Sequence, residues 1–176
     1  MKRTNALLLC CTLCLCAMAQ RHTSERLHYQ AGIGVSIPLP ESQDNAKHLF
    51  AKVMYYLRPR LSAGLGTGIS KYETELLPLY ATLRWDMTTP HRFTPFVEGS
   101  IGYSYALTSS ASGGSCMGLS LGASYRCRGS DEIFITIGYE HQHYSQQRSF
   151  DSSVIRARYV EEDGYNAMRI AVGYQF

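Results

Sequence analysis

Between Leu27 and the last residue, about eight segments of the chain alternate between large apolar side chains and small or polar ones. A period of two is the signature of a β-strand whose two faces meet different surroundings. The last segment shows it most cleanly: Met168, Ile170, Val172, Tyr174 and Phe176 share one face, and Ala167, Arg169, Ala171, Gly173 and Gln175 the other. Between Leu27 and Pro38, Tyr29, Ala31, Ile33, Val35 and Ile37 oppose Gln30, Gly32, Gly34 and Ser36. Further segments run from Leu49 to Arg58, Leu61 to Tyr72 and Leu77 to Met87, then around Val97–Tyr105, Met117–Arg126 and Ile133–Glu140. Each is roughly as long as a tilted membrane strand needs to be.

The composition of the two faces decides what surrounds them. A soluble antiparallel barrel or sandwich would turn its large apolar residues into a core and a charged surface to water. Here the face without large aliphatics carries glycines and serines beside a few charges, which suits the crowded interior of a narrow barrel. After the amino-terminal region no segment approaches the roughly 18 apolar residues of a spanning helix. A membrane reading therefore requires a closed barrel, the other structure that satisfies every backbone group in lipid. The prediction is an all-β, eight-stranded antiparallel up-and-down transmembrane β-barrel.

The connectors sort with that prediction. Turns near Arg58-Pro59-Arg60, Thr88 to Phe93 and Cys127 to Asp131 are short and polar with Pro or Gly, as inner turns should be. The alternate connectors, Leu39 to His48, Glu73 to Leu76, Thr108 to Ser115 and Ser145 to Tyr165, are the expected outer loops; the second is short and the last much the longest. Outward aromatics fall at two levels. Tyr29, Tyr55, Trp85, Tyr125, Tyr174 and Phe176 lie near the inner strand ends, and Tyr103, Tyr105 and Tyr139 near the outer ends. Two girdles of amphipathic rings are expected at the two membrane interfaces.

The amino-terminal residues have the pattern of an export signal. Lys2 and Arg3 precede an apolar run from Ala6 to Cys16, and Ala17-Met18-Ala19 forms a small-x-small cleavage site before Gln20. Residues 1–19 are thus the expected leader and 20–176 the barrel domain. Cleavage removes four of the six cysteines and leaves Cys116 and Cys127, near opposite ends of one predicted strand and too far apart to bridge. It also takes Lys2 and Arg3 from the 17 basic residues, leaving 15 against 14 acidic ones, so net charge gives no reason to expect nucleic acid.

The strand Phe96-Val97-Glu98-Gly99-Ser100-Ile101-Gly102-Tyr103 and the ending Gly173-Tyr174-Gln175-Phe176 resemble the small outer-membrane barrels of the OmpA/OmpX and opacity-protein type, over essentially the whole chain after the leader. The ending also resembles the terminal signal by which such barrels are recognised for insertion. The resemblance implies a monomer in a Gram-negative-type outer membrane with both termini periplasmic. Its surroundings would be lipid and lipopolysaccharide, after transit with periplasmic chaperones and the barrel-assembly machinery. It implies no cofactor.

Candidate chemistry is sparse. Lys52, Arg58, Arg84, Asp86, Glu98, Arg126, Glu140 and Arg169 fall on the inward face, where buried charges must be paired. They are expected to form an interior salt-bridge network rather than a catalytic pair. In Glu140-His141-Gln142-His143, alternation turns the histidines outward and Glu140 inward, so they cannot share a metal ion without a bulge. His143 and Ser145, two apart, share the outward face, where an imidazole could deprotonate a hydroxyl. That spacing resembles the outer-membrane lipid A deacylases, although Gln146 follows the serine where an asparagine is usual and the orienting acid, Glu161 or Glu162, is unplaced. The expected role is non-enzymatic, in envelope structure or surface contact, with the segment from Ser145 to Tyr165 as the surface for an extracellular partner. A narrow barrel leaves no continuous aqueous lumen, which argues against a channel.

Overall fold

The computed structural model describes residues 26–39, 44–72, 74–108, 111–128, 131–151 and 156–176. The expected leader and its cleavage site lie outside these residues. Eight long strands form an antiparallel meander: β1 (Leu27–Pro38), β2 (Ala46–Arg58), β3 (Leu61–Lys71), β4 (Glu75–Asp86), β5 (Phe93–Ala106), β7 (Gly114–Arg128), β8 (Asp131–Asp151) and β9 (Arg156–Gln175). A two-residue strand, β6 (Ala111–Ser112), pairs with Ser145 and Gln146 of β8. The sheet closes where β1 meets β9, from Gln30↔Gln175 to Pro38↔Ala167. Reciprocal bonds from Tyr29 N to Phe176 O (3.0 Å) and from Phe176 N to Tyr29 O (2.9 Å) finish the seam. Closure leaves no unpaired edge in the wall, the condition for strands to cross hydrocarbon.

The faces sort as the alternation requires. Leu49, Leu65, Leu79, Ile101, Leu119, Ile135 and Val172 point away from the barrel and are exposed. Gln30, His48, Lys52, Arg84, Asp86, Glu132, Glu140 and Gln142 are buried inside. This is an inside-out protein, stable where lipid covers the outer face. The fold is a closed eight-stranded up-and-down transmembrane barrel.

Three features of the wall depart from the sequence reading. Several strands are longer at the loop end: β2 begins at Ala46 and β4 at Glu75, leaving only 72–74 between β3 and β4. The segment from Ser145 to Tyr165, expected as a loop, is mostly a ribbon: β8 and β9 stay paired to Asp151↔Arg156. Above the apolar belt the backbone pairing continues without the apolar alternation that marks strands lower down. Finally, the β3–β4 ladder skips from Thr67↔Leu79 to Ser70↔Leu76 around Pro78, which has no N–H to give.

The interior is filled by a rule visible in the register. Phe50 pairs with Gly32, Tyr80 with Gly66, Phe96 with Gly122 and Phe134 with Gly173. A ring folded over a cross-strand glycine shields the exposed backbone and takes the space a Cβ would need. A Cβ at Gly122 would stand 2.4 Å from Phe96 Cζ and 2.8 Å from Ile135 O, whereas one at the outward Gly99 would meet nothing within 4 Å. Gly122→Ala is therefore expected to cost about 1–3 kcal/mol by overpacking, and Gly99→Ala much less. Urea titration of both variants in detergent checks this, and equal losses would contradict the ring-over-glycine account.

Candidate functional site

The lumen is divided by two plates of apolar side chains. The lower plate is Phe50, Phe96 and Phe134 with Ala171. Cations cap its rings: Lys52 Nζ lies 5.3 Å from the Phe50 centroid and 5.6 Å from that of Phe134, and the Arg84 guanidinium 3.7 Å from that of Phe96. The upper plate is Ala46, Tyr72, Leu76, Tyr165 and Ala167, with the two tyrosine rings edge to face at 4.7 Å. Tyr165 belongs to β9 at the foot of the ribbon, and its hydroxyl donates to Ser36 O (3.2 Å) and Asp44 O (3.1 Å).

Between the plates lies a cavity of about 70 Å³, lined by His48, Lys52, Tyr72, Tyr80, Glu98, Cys116, Glu140 and Arg169 among others. Lys52 Nζ donates to both oxygens of Glu98 at 2.6 and 2.8 Å. Arg169 Nη1 donates to Glu140 Oε2 at 3.2 Å, and Tyr72 OH donates to the other oxygen of Glu140. His48 bridges two strands, with Nε2 2.7 Å from Ser36 Oγ and Nδ1 2.9 Å from Ser70 Oγ. The carboxylates here are bonded to cations or hydroxyls, and none stands as a free base beside a nucleophile.

Below the lower plate the barrel opens at its turn end into a mouth of about 370 Å³. Glu132 and Arg126 of its lining belong to a second ion-paired layer, which Glu132 joins to Arg84. Arg84 Nε donates to Asp86 Oδ1 (2.9 Å), Arg84 Nη2 to Ser124 Oγ (3.2 Å), and Arg126 Nη2 to Glu132 Oε1 (2.9 Å). Of the eight charged groups expected inside, the structure places seven in these two layers. Arg58 is the exception. A bulge between Tyr56 and Arg58 shifts the register so that Arg58 sits exposed at the rim of the mouth. Glu132, His48 and Tyr72 join the layers without having been singled out. Glu132 was readable, since it directly precedes the outward Ile133; His48 fell in an expected loop.

On the outer wall, Tyr55, Trp85, Tyr125, Tyr174 and Phe176 are exposed near the turn end with the half-buried Tyr29, and Phe93 extends their ring. Tyr103, Tyr105 and Tyr139 are exposed toward the opposite end. Arg60 and Arg92 reach over Trp85 (5.7 Å) and Tyr125 (5.4 Å), the placement of cations at a headgroup layer.

His143 and Ser145 share the outward face of β8, half-buried, and no hydrogen bond joins them among the described residues. The backbone register sets His143 opposite Gly164 and Ser145 opposite Glu162; the side chains of Glu161 and Glu162 lie outside the described residues. His141 Nδ1 is 2.6 Å from Asn166 Oδ1 on the outer wall, while Glu140 is bonded inside, so the two histidines and the carboxylate stand on opposite faces. Cys116 faces the cavity and Cys127 is exposed at the turn end, both as free thiols.

No protein-family model matches the sequence, and no curated protein matches it. Solved structures do. Neisserial surface protein A (NspA) superposes with a TM-score of 0.64 at 12% identity, covering 85% of this chain and 95% of that one. OprG from Pseudomonas aeruginosa gives 0.60 at 14% identity over 85% and 95% of the two chains. Outer Membrane Protein W of E. coli gives 0.53 at 14% identity over 86% and 97%. At such identities the likeness is one of fold, and it covers nearly all of each neighbour. The chain has the fold of the small eight-stranded outer-membrane barrels.

Proposed function

We propose that this protein is an integral outer-membrane barrel without catalytic activity, serving envelope structure or surface contact through the β8–β9 ribbon. The observation that carries the reading is the pairing of an apolar outer belt with a lumen closed by two plates and two ion-paired layers. Such a barrel can stand in lipid and present a surface but has no open path for solute. Its termini and short turns face the periplasm, and lipid with lipopolysaccharide surrounds it as a monomer. Chaperones and the barrel-assembly machinery would handle it in transit. The ribbon is the contact element because it projects beyond the belt on a rigid base. Between Arg156 and Tyr165, β9 has no second partner strand among the described residues, an arrangement suited to pairing with a partner's extended segment.

Replacing residues 147–160 by an Asn-Gly turn tests this. The shortened barrel should still fold, seen as a mobility difference between boiled and unboiled samples, while adherence of cells displaying it should fall to background. Unchanged adherence would sink the contact role, and recovery of the full chain in the soluble periplasmic fraction would sink the membrane reading itself.

A second reading is ester hydrolysis at a lipid-facing Ser/His pair, for which Glu162, opposite Ser145 in the backbone register, would be the candidate acid. The discriminating measurement is fatty acid released from purified lipid A. We expect none from wild type. Release by wild type that is lost in both His143→Ala and Ser145→Ala would establish the hydrolase instead.

A further inference from the structure

The turn-end mouth carries more positive charge than its own carboxylates absorb. Among the described residues its lining includes Arg26, Arg58 and Arg126 against one acid, Glu132. Glu132 is already committed, 2.9 Å from Arg126 Nη2 and 3.9 Å from Arg84 Nη2. Arg26 and Arg58 make no ion pair among the described residues, and both are exposed at the rim. Two arginines thus line a concave volume of about 370 Å³, within the size range of small-molecule sites.

We propose that this mouth is a binding site for a phosphate monoester, anchored by Arg26 and Arg58. Charge selects the class. The surplus of two positive charges is neutralised by one phosphate dianion, whereas a single carboxylate would leave half of it. Each planar guanidinium can take two phosphate oxygens at once, which a phosphate offers to both arginines from one centre. The body of the ligand would lie against the edge-to-face pair of His28 and Tyr56, whose ring centroids are 4.9 Å apart, and against Pro59 and Pro90. The site is closed from the rest of the lumen by the phenylalanine plate, so ligand enters and leaves from the turn end. The inference rests on the barrel's geometry and is independent of what the ribbon contacts.

Isothermal titration of the folded barrel in a non-ionic detergent at low salt tests it. The probes are glycerol 3-phosphate, glycerol, succinate and dihexanoyl phosphatidic acid below its micellar concentration. Saturable binding of glycerol 3-phosphate is expected, with none of glycerol, and it should weaken as salt rises. Binding should weaken at least tenfold in Arg26→Ala/Arg58→Ala, and remain unchanged in Lys47→Ala/Lys71→Ala at the opposite rim. Binding of the short-chain lipid but not of glycerol 3-phosphate supports the site with a lipid headgroup as its source; binding of both supports a soluble ester. The proposal is overturned if neither phosphate binds, if the arginine double variant retains wild-type affinity with its heat-dependent gel shift intact, or if succinate binds as tightly.

Discussion

Arg84→Ala is expected to destabilise the barrel by about 3–5 kcal/mol, the range for breaking a buried ion pair by removing one partner. Arg84 is 2% exposed and is held on several sides. Its Nε bonds Asp86, Nη2 bonds Ser124 and approaches Glu132, and its plane stacks on Phe96. Alanine would leave Asp86, itself 1% exposed, without a counter-charge beside a void left by the guanidinium. Arg84→Lys keeps the charge but loses the fork and the stack, so it should recover only part of the loss. Arg84→Ala/Asp86→Ala should be milder than the sum of the two single changes, because the second substitution removes the orphaned charge. Urea unfolding in detergent micelles or vesicles gives all four values. A loss below about 1 kcal/mol for Arg84→Ala would mean that water solvates Asp86, and that this layer is wet rather than closed.

The same layer shows how far the sequence reaches. Alternation alone placed Arg84, Asp86 and Glu98 inward and Leu83, Trp85 and Val97 outward, because a strand repeats every two residues whatever its partners do. Cross-strand partners are a different matter. Nothing local says that Phe96 meets Gly122, or that the carboxylate beside Lys52 is Glu98; these follow from the register and stagger of strands around the barrel. Two misreadings have local causes. Arg58 lies beyond a bulge, which breaks the alternation that would have turned it inward, and a bulge leaves no residue-type mark here. The segment above Ser145 reads as loop because its scattered apolar residues, Phe150, Val154, Ile155 and Val160, keep no period of two. A two-stranded extension is held by its backbone ladder, which needs no hydrophobic period of the kind that identifies strands in the belt.

Placing a charge on the belt has the second largest expected effect. Ile135 is 56% exposed on the outer wall, paired with Ala123 on one side and Val172 on the other. Next to it on the turn side is Ile133, level with Tyr125 and Tyr174; two outward positions away on the other side is Tyr139. A site between the two girdles lies in the hydrocarbon, where an arginine costs roughly 2–4 kcal/mol at the midplane. Ile135→Arg should therefore lower the unfolding free energy of the barrel refolded into phosphatidylcholine vesicles, read from urea titration, by up to that amount. Ser120→Thr, on the inward face with its hydroxyl 3.4 Å from Glu98 O, keeps the polar group and should cost far less. The comparison separates lipid from water as the outer solvent. In a water-soluble barrel an arginine at an exposed position would be near neutral, and the inward methyl would be the more disruptive change. Matching losses, or the reverse order, would mean that the apolar belt does not meet hydrocarbon. A loss for Ile135→Arg that fades when the same charge is moved to Phe93 would also locate the interface, because the penalty falls as the side chain comes within reach of the headgroups.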